Sequence, residues 1–265
     1  MLIAQLSDLH VCANRAPAFR VVDSATALEK TVAHLKKLPQ KPDCFVITGD
    51  IAANGETGGY EIVADALSGL AAPLFVLPGN HDVRENLVAS LGKYCPADAA
   101  ISPYLCYTVE DFPLRLVFMD TVRPSSPSGY LDPPVAAWLE ETLAARPDAP
   151  TLLFTHHPPF LSGLGWMDKP FENADVFGRI LGKHPKVRLC CGHLHRAMVT
   201  VWHGVTALTA PPLAGHIEPD LSPEGGATFT VEAPGYMLHH LHERTVNSHI
   251  CRVPGVWPFG GPYHF

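Results

Sequence analysis

The sequence predicts an α/β fold in which helices cover sheets, and two observations predict it. Short apolar runs alternate with amphipathic stretches as far as residue 191, which is the β-α-β rhythm of layered architectures. With 265 residues, 47% hydrophobic and 17% charged, the chain lies far from the disordered regime and is long enough to bury one substantial core.

Leu2–Ser7 reads as the first strand. Asp23–Leu38 reads as a helix with Ala27, Leu28, Thr31, Val32, Leu35 and Leu38 on one stripe, and Asp43–Thr48 as the second strand. A helix over Gly59–Leu70 leads to a third strand, Pro73–Leu77. A hairpin follows, Leu105–Glu110 and Leu114–Met119, turning at Asp111-Phe112-Pro113. A helix over Pro133–Ala145 precedes the strand Thr151–Thr155, and a helix near Asn173–Gly182 precedes the strand Val187–Cys191.

Beyond residue 196 the texture changes to short β-like runs, Met198–Trp202, Val205–Thr209, Ala227–Val231, Tyr236–Leu241 and Val246–Val253. They predict a second sheet packed on the first. Ala210–Gly226, rich in Pro and Gly, predicts a loop near the site. The reading is one domain over 1–265, with 210–265 a C-terminal loop and strand extension used for substrate access or oligomerisation. In its tail, Trp257, Phe259 and Tyr263 form a lid, an oligomer contact or simple packing.

A net charge of −7 argues against a broad electrostatic footprint for nucleic acid. The first residues lack a basic stretch and reach Asp8 too early for a signal peptide, and no apolar run of roughly 18 residues predicts a membrane span. Seven cysteines without a CxxC favour a reducing compartment, hence a cytoplasmic location, although Cys95 and Cys106 are spaced to close a short loop. Histidine is abundant: 15 copies against 19 Lys and Arg together.

Where the polar residues fall is more informative than their number. Five strands end in Ser7-Asp8-Leu9-His10, Gly49-Asp50, Gly79-Asn80-His81-Asp82, His156-His157 and Gly192-His193-Leu194-His195. In open α/β sheets the C-terminal edge of the strands is where ligands bind. Asp8, His10, Asp50, Asn80, His156, His193 and His195 mix O and N donors suited to Mn, Fe, Co or Zn, and so many donors point to two divalent ions sharing a bridging carboxylate. Residues two apart, as in Asp8-x-His10 and His193-x-His195, point the same way in an extended chain. Each piece has a plainer reading, since an Asp after a strand often caps a helix and Gly-Asn-His-Asp makes a turn. All five together, each at a strand end, leave that reading little room.

This ordered set resembles the calcineurin-like metallophosphoesterases from residue 1 to about 210, with every ligand position of the family pattern occupied. LIAQLSDLH, PLFVLPGNHD and HHPP look most like the bacterial glycerophosphodiesterases and class III cyclic-nucleotide phosphodiesterases. The resemblance implies a four-layer α-β-β-α sandwich of two mixed sheets flanked by helices. It assigns Asp8, His10 and His195 to one metal, Asn80, His156 and His193 to the other, and Asp50 to the bridge. His81 then faces the substrate phosphate and leaving group as a catalytic residue, with Asp82 holding its ring; His157 has no ligand counterpart and reads as packing or an outer hydrogen bond.

The implied activity is hydrolysis of small phosphodiesters, glycerophosphodiesters or cyclic nucleotides, by a metal-activated hydroxide. The local charge of the ions explains how an acidic protein attracts an anion. Asn80, His81 and His216 are the candidate substrate contacts, His216 having a surface position as its alternative. The alternative activities are those of a phosphomonoesterase or a nucleotide-pyrophosphate hydrolase. A non-catalytic scaffold is disfavoured because no ligand is missing, and metal storage because it has no use for His81. The resemblance also implies a homo-oligomer.

Overall fold

Parallel pairing of the N-terminal strands sets where the chemistry emerges. In the computed structural model, which describes residues 1–222, 225–243 and 245–265, β1 (Leu2–Leu6), β2 (Cys44–Thr48) and β3 (Leu74–Leu77) lie side by side. Leu6 sits beside Ile47 and Thr48 beside Leu77, so the segments that follow these strands leave the sheet at one edge. The strands are almost wholly buried, as continuous apolar runs in a parallel sheet must be. Helix α1 (Ser24–Leu35) covers them with Ala27, Leu28, Thr31, Val32 and Leu35, five of the six stripe positions, and Asp23 caps it by accepting from Thr26 N. Helices α2 (Thr57–Leu67) and α3 (Arg84–Leu91) complete this layer.

The second sheet begins with β4 (Tyr107–Val109) and β5 (Arg115–Phe118), the expected hairpin, and continues through β6 (Thr151–Phe154) and β7 (Val187–Cys191), both parallel to β5. Its residues alternate between two cores. Leu116, Phe118, Leu152 and Phe154 face the first sheet, whereas Val117 and Leu153 face α4 (Pro133–Ala145) and α5 (Ala174–Leu181) on the outside. Two mixed sheets thus meet face to face with helices on both outer surfaces.

The C-terminal strands do not form the separate second sheet expected of them. β8 (Met198–Trp202) and β9 (Val205–Thr209) extend the sheet of β7 in the order β4-β5-β6-β7-β9-β8. β10 (His216–Ile217) and β11 (Thr228–Val231) belong to a small third sheet. β12 (Gly235–His242) and β13 (Thr245–Arg252) then return to the first sheet, giving β13-β12-β1-β2-β3. The physical reason lies in β1: buried at the centre, it needs a hydrogen-bonded partner on both sides, and β12 supplies the second. The tail forms β14 (Gly260–His264), which pairs with β11. Cys95 and Cys106 are both buried and free, so no disulfide closes that loop. Among the described residues no helix is long and apolar enough to cross a membrane.

Candidate metal centre

The backbone at the shared strand edge is bent into a conformation that L-residues avoid. Asp8, His10, Asp50, His193 and His195 have φ of 54°, 45°, 50°, 69° and 47°, all left-handed. Such strain persists only where the surroundings hold it, and it gathers at functional sites. Here Asp8 N donates to Gly49 O at 3.1 Å and His10 N to Asp50 O at 2.9 Å, stitching the first two turns together. Gly79 is required by space: a Cβ there would overlap the Asp50 carboxylate and the Asp50 backbone.

These turns aim their side chains at one volume. Donor atoms of Asp8, His10, Asp50 and His195 lie within 4.8 Å of one another, all buried, and those of His156, His157 and His193 form a second such group. Asp50 stands between them: its Oδ2 is 3.5 Å from His10 Nε2 and 3.4 Å from His156 Nε2, while its Oδ1 accepts from His81 N at 2.9 Å. Asn80 Oδ1 is 3.1 Å from His156 Nε2. All seven sequence-predicted ligands therefore converge, His193 through its ring, whose centroid is 5.2 Å from that of His156.

The donor chemistry fits a divalent metal. His195 Nδ1 donates to Gly215 O at 2.6 Å and His156 Nδ1 to Thr48 O at 2.8 Å, which in the neutral form of each ring puts the lone pair on Nε2. His10 Nε2 and His195 Nε2 approach to 2.9 Å, and two buried carboxylates stand beside them. A divalent cation set among these oxygen and nitrogen donors would take up the inward lone pairs of the neutral rings and offset the charge of both buried carboxylates.

The electrostatics express the same crowding. Burial pushes the Asp8 carboxyl up, a shift that His195 and His156 only partly offset. Burial would also push Asp50 up, but His156, His10 and His81 reverse this and hold it well below the usual carboxylate range. His156 is carried the other way: Asp50 overcomes burial and raises it to about 9. His193 falls to about 3 through burial and the nearby His156. The open side is lined by His81, which is exposed, and by half-buried Asn80 and His193.

The remaining predicted residues behave differently. His81 is oriented by Ala53 O, 2.8 Å from its Nδ1, and not by Asp82. Asp82 instead accepts from Ile51 N, Ala52 N, Gly79 N and the Tyr60 hydroxyl, so it shapes the turns that carry Asp50 and Asn80. Burial and then Asp50 raise its carboxyl to about 6. His216 is buried with Nε2 on Ala233 O at 3.1 Å, and the carbonyl of the preceding Gly215 is what reaches His195.

Sequence reasoning missed three supports: Tyr60, Phe19, whose ring is 4.9 Å from that of His10, and the Arg84–Asp120 pair at 2.6 Å that ties α3 to the turn after β5. Phe19 lay in a stretch with no periodicity, and Tyr60 reads from the sequence only as one more apolar position on a helix.

Comparison with known proteins agrees with this geometry. The family described as calcineurin-like phosphoesterase matches residues 1–197, and the chain belongs to that family. It is 34% identical over 269 residues to the probable glycerophosphodiester phosphodiesterase GpdQ of Arcobacter nitrofigilis, covering 98% of this chain and 97% of that protein. It is 29% identical over 256 residues to the 3',5'-cyclic adenosine monophosphate phosphodiesterase CpdA of Escherichia coli K12, covering 95% and 89%. Among solved structures, the purple acid phosphatase PPD1 of yellow lupin shares the fold with a TM-score of 0.59 at 14% identity, covering 95% of this chain and 53% of that one.

Proposed function

We propose that this calcineurin-like phosphoesterase hydrolyses small phosphodiesters, glycerophosphodiesters or cyclic nucleotides, at a centre that holds two divalent ions. The observation that carries the reading is the position of Asp50 Oδ2 between His10 and His156, at the junction of two donor groups. Asp8, His10 and His195 would hold one ion, Asn80, His156 and His193 the other, with Asp50 shared. Bound there, the ions would supply charge neutralisation for a phosphate and lower the pKa of water toward about 7.

The chain's own residues do the rest. His156 and His195 keep inward lone pairs because backbone carbonyls occupy their Nδ1 atoms. Asn80 and His81 border the open side, and His81, its Nδ1 on Ala53 O, presents Nε2 to the substrate. In its protonated form it donates to the departing oxygen, a contribution of about 10²–10⁴ in rate. The names of the GpdQ and CpdA relatives support a diester as substrate. Seven free cysteines support a reducing, cytoplasmic setting, and exposed Ile250, Val256 and Phe259 support self-association through residues 210–265.

The test is metal-free protein reconstituted with Mn, Fe, Co or Zn and assayed on cyclic AMP, glycerophosphoethanolamine, p-nitrophenyl phosphate and a dinucleotide polyphosphate, with its mass in solution measured alongside. Turnover of at least one diester, abolished by chelation, is expected from an oligomer. Turnover of the monoester or the polyphosphate with both diesters untouched would overturn the substrate assignment, and a monomer would overturn the self-association.

A further inference from the structure

His157 stands at the centre without a role in the reading above. Its ring is fully buried, with its centroid 4.8 Å from those of both His156 and His193. Its Nδ1 is 2.8 Å from Thr121 Oγ1, and its Nε2 is buried with no hydrogen-bond partner among the described residues. Burying a polar nitrogen without a partner is unfavourable, and a native structure that does so has a reason.

The partner on Nδ1 decides what Nε2 can be. His156 and His195 place Nδ1 on carbonyl oxygens, which only accept, so in their neutral forms Nε2 carries the lone pair. His157 places Nδ1 on a hydroxyl. Thr121 is itself buried, and its oxygen already accepts from His157 N at 3.4 Å. Among the described contacts the only acceptor for its hydroxyl proton is His157 Nδ1. A neutral ring that accepts at Nδ1 carries its proton on Nε2. His157 contributes a ring nitrogen to the group formed with His156 and His193, and with Nδ1 taken by Thr121 the free nitrogen is Nε2, where a metal ligand would have to offer a lone pair.

We propose that His157 is an oxyanion-binding residue: Thr121 fixes its tautomer so that Nε2–H donates to an anionic oxygen of the phosphate group seated over His156 and His193. The inference rests on the phosphodiesterase reading for the identity of the anion, but the tautomer does not. Donors pre-aimed at developing negative charge cost no reorganisation when the reaction occurs, and losing one typically costs about 10²–10³ in rate.

Long-range ¹H–¹⁵N correlation of the histidine rings in the metal-free protein reads the tautomer, the His157 signals being identified by their loss in His157→Gln. Protonated Nε2 is expected, turning to a mixture in Thr121→Val; protonated Nδ1 overturns the proposal. Inorganic phosphate then probes the metal-loaded protein by calorimetry, with metal content measured alongside. His157→Ala is expected to keep the wild-type metal content while its phosphate affinity falls about tenfold or more, and His157→Gln, which retains an N–H, to recover part of it. Loss of metal from His157→Ala would make this residue a ligand and overturn the proposal. Unchanged phosphate affinity in His157→Ala, with wild type still hydrolysing diesters, overturns it alone; wild type that loads metal but neither binds phosphate nor turns over diesters overturns both readings.

Discussion

The two ends of the central strands differ in kind. At their C-terminal ends, backbone forced to positive φ crowds carboxylates and imidazoles into a buried group with little open volume. At the opposite end lies the larger space, a cleft of about 640 Å³ lined by Pro113, Asp148, Pro150, Lys186, Arg188 and Val246. There the turns carry prolines and exposed ion pairs, such as Lys186 with Asp148 at 2.7 Å, and no donor group converges among the described residues. Strain and donor convergence in this fold coincide, and both lie away from the larger cavity.

The strongest way to break that comparison is to remove the residue on which the crowded end depends. Asp50→Ala deletes the carboxylate shared by both donor groups and is expected to lower diester turnover by well over the roughly 100-fold that loss of an outer partner costs. The fold should persist, because Asp50 also raises the carboxyls of Asp8 and Asp82, and its removal relieves that repulsion. Turnover after metal reconstitution, read beside far-ultraviolet circular dichroism, checks both. A variant that keeps a tenth of wild-type activity would show that Asp50 does not join the two groups.

The difference between the ends also explains what could be read in advance. Strand-end residues are legible because their types declare their chemistry and parallel pairing must bring them to one edge; Asp8, Asp50 and His193 needed no knowledge of partners. Partner choice is another matter. The runs at 235–242 and 245–252 look the same whether they form a new sheet or extend an old one, and only the unpaired flank of buried β1 decides. β14 hides for a local reason, since Gly260, Gly261 and Pro262 are poor strand formers and the pairing of Tyr263 with Phe229 overrides them. α3 buries only Leu87 and Leu91, too little stripe to stand out. The supporting role of Asp82 depends on which N–H groups fold around it, which no local pattern records.

Histidine away from the strand ends sharpens the comparison further. His239 lies between the sheets, bonded to Gln5 Oε1 at 2.9 Å and Ser248 Oγ at 2.8 Å, and burial, then Arg188, push it down to about 3. An imidazole depressed in the fold stays neutral there while the unfolded chain takes up a proton near pH 6.5. Its stabilisation is therefore complete above pH 6.5 and is lost as the pH falls toward 3, at up to about 1.4 kcal/mol per unit. In His239→Gln the slope of unfolding free energy between pH 6.5 and 5 should be shallower by about 1 kcal/mol per unit, as urea denaturation in metal-free protein would show. An unchanged slope would mean that acid sensitivity belongs to other buried histidines, such as His193 and His216, and not to His239.

The smallest effect is expected at the cleft itself. Lys186 and Asp148 are 52% and 92% exposed, so water screens their attraction and the pair contributes little to stability. Lys186 O accepts from Thr151 N at 3.2 Å, but this backbone bond does not need the ammonium group. Lys186→Ala should therefore leave the sheet register intact, leave the urea unfolding midpoint close to that of wild type and keep kcat/KM on a diester within about twofold. The strands between the two ends are buried on both faces, and packed cores respond to changes of volume far more than to the loss of a charge at their rim. A fivefold fall in kcat/KM without loss of stability would mean that the cleft and the metal centre are coupled through β6 and β7, and the two ends could no longer be treated as chemically separate.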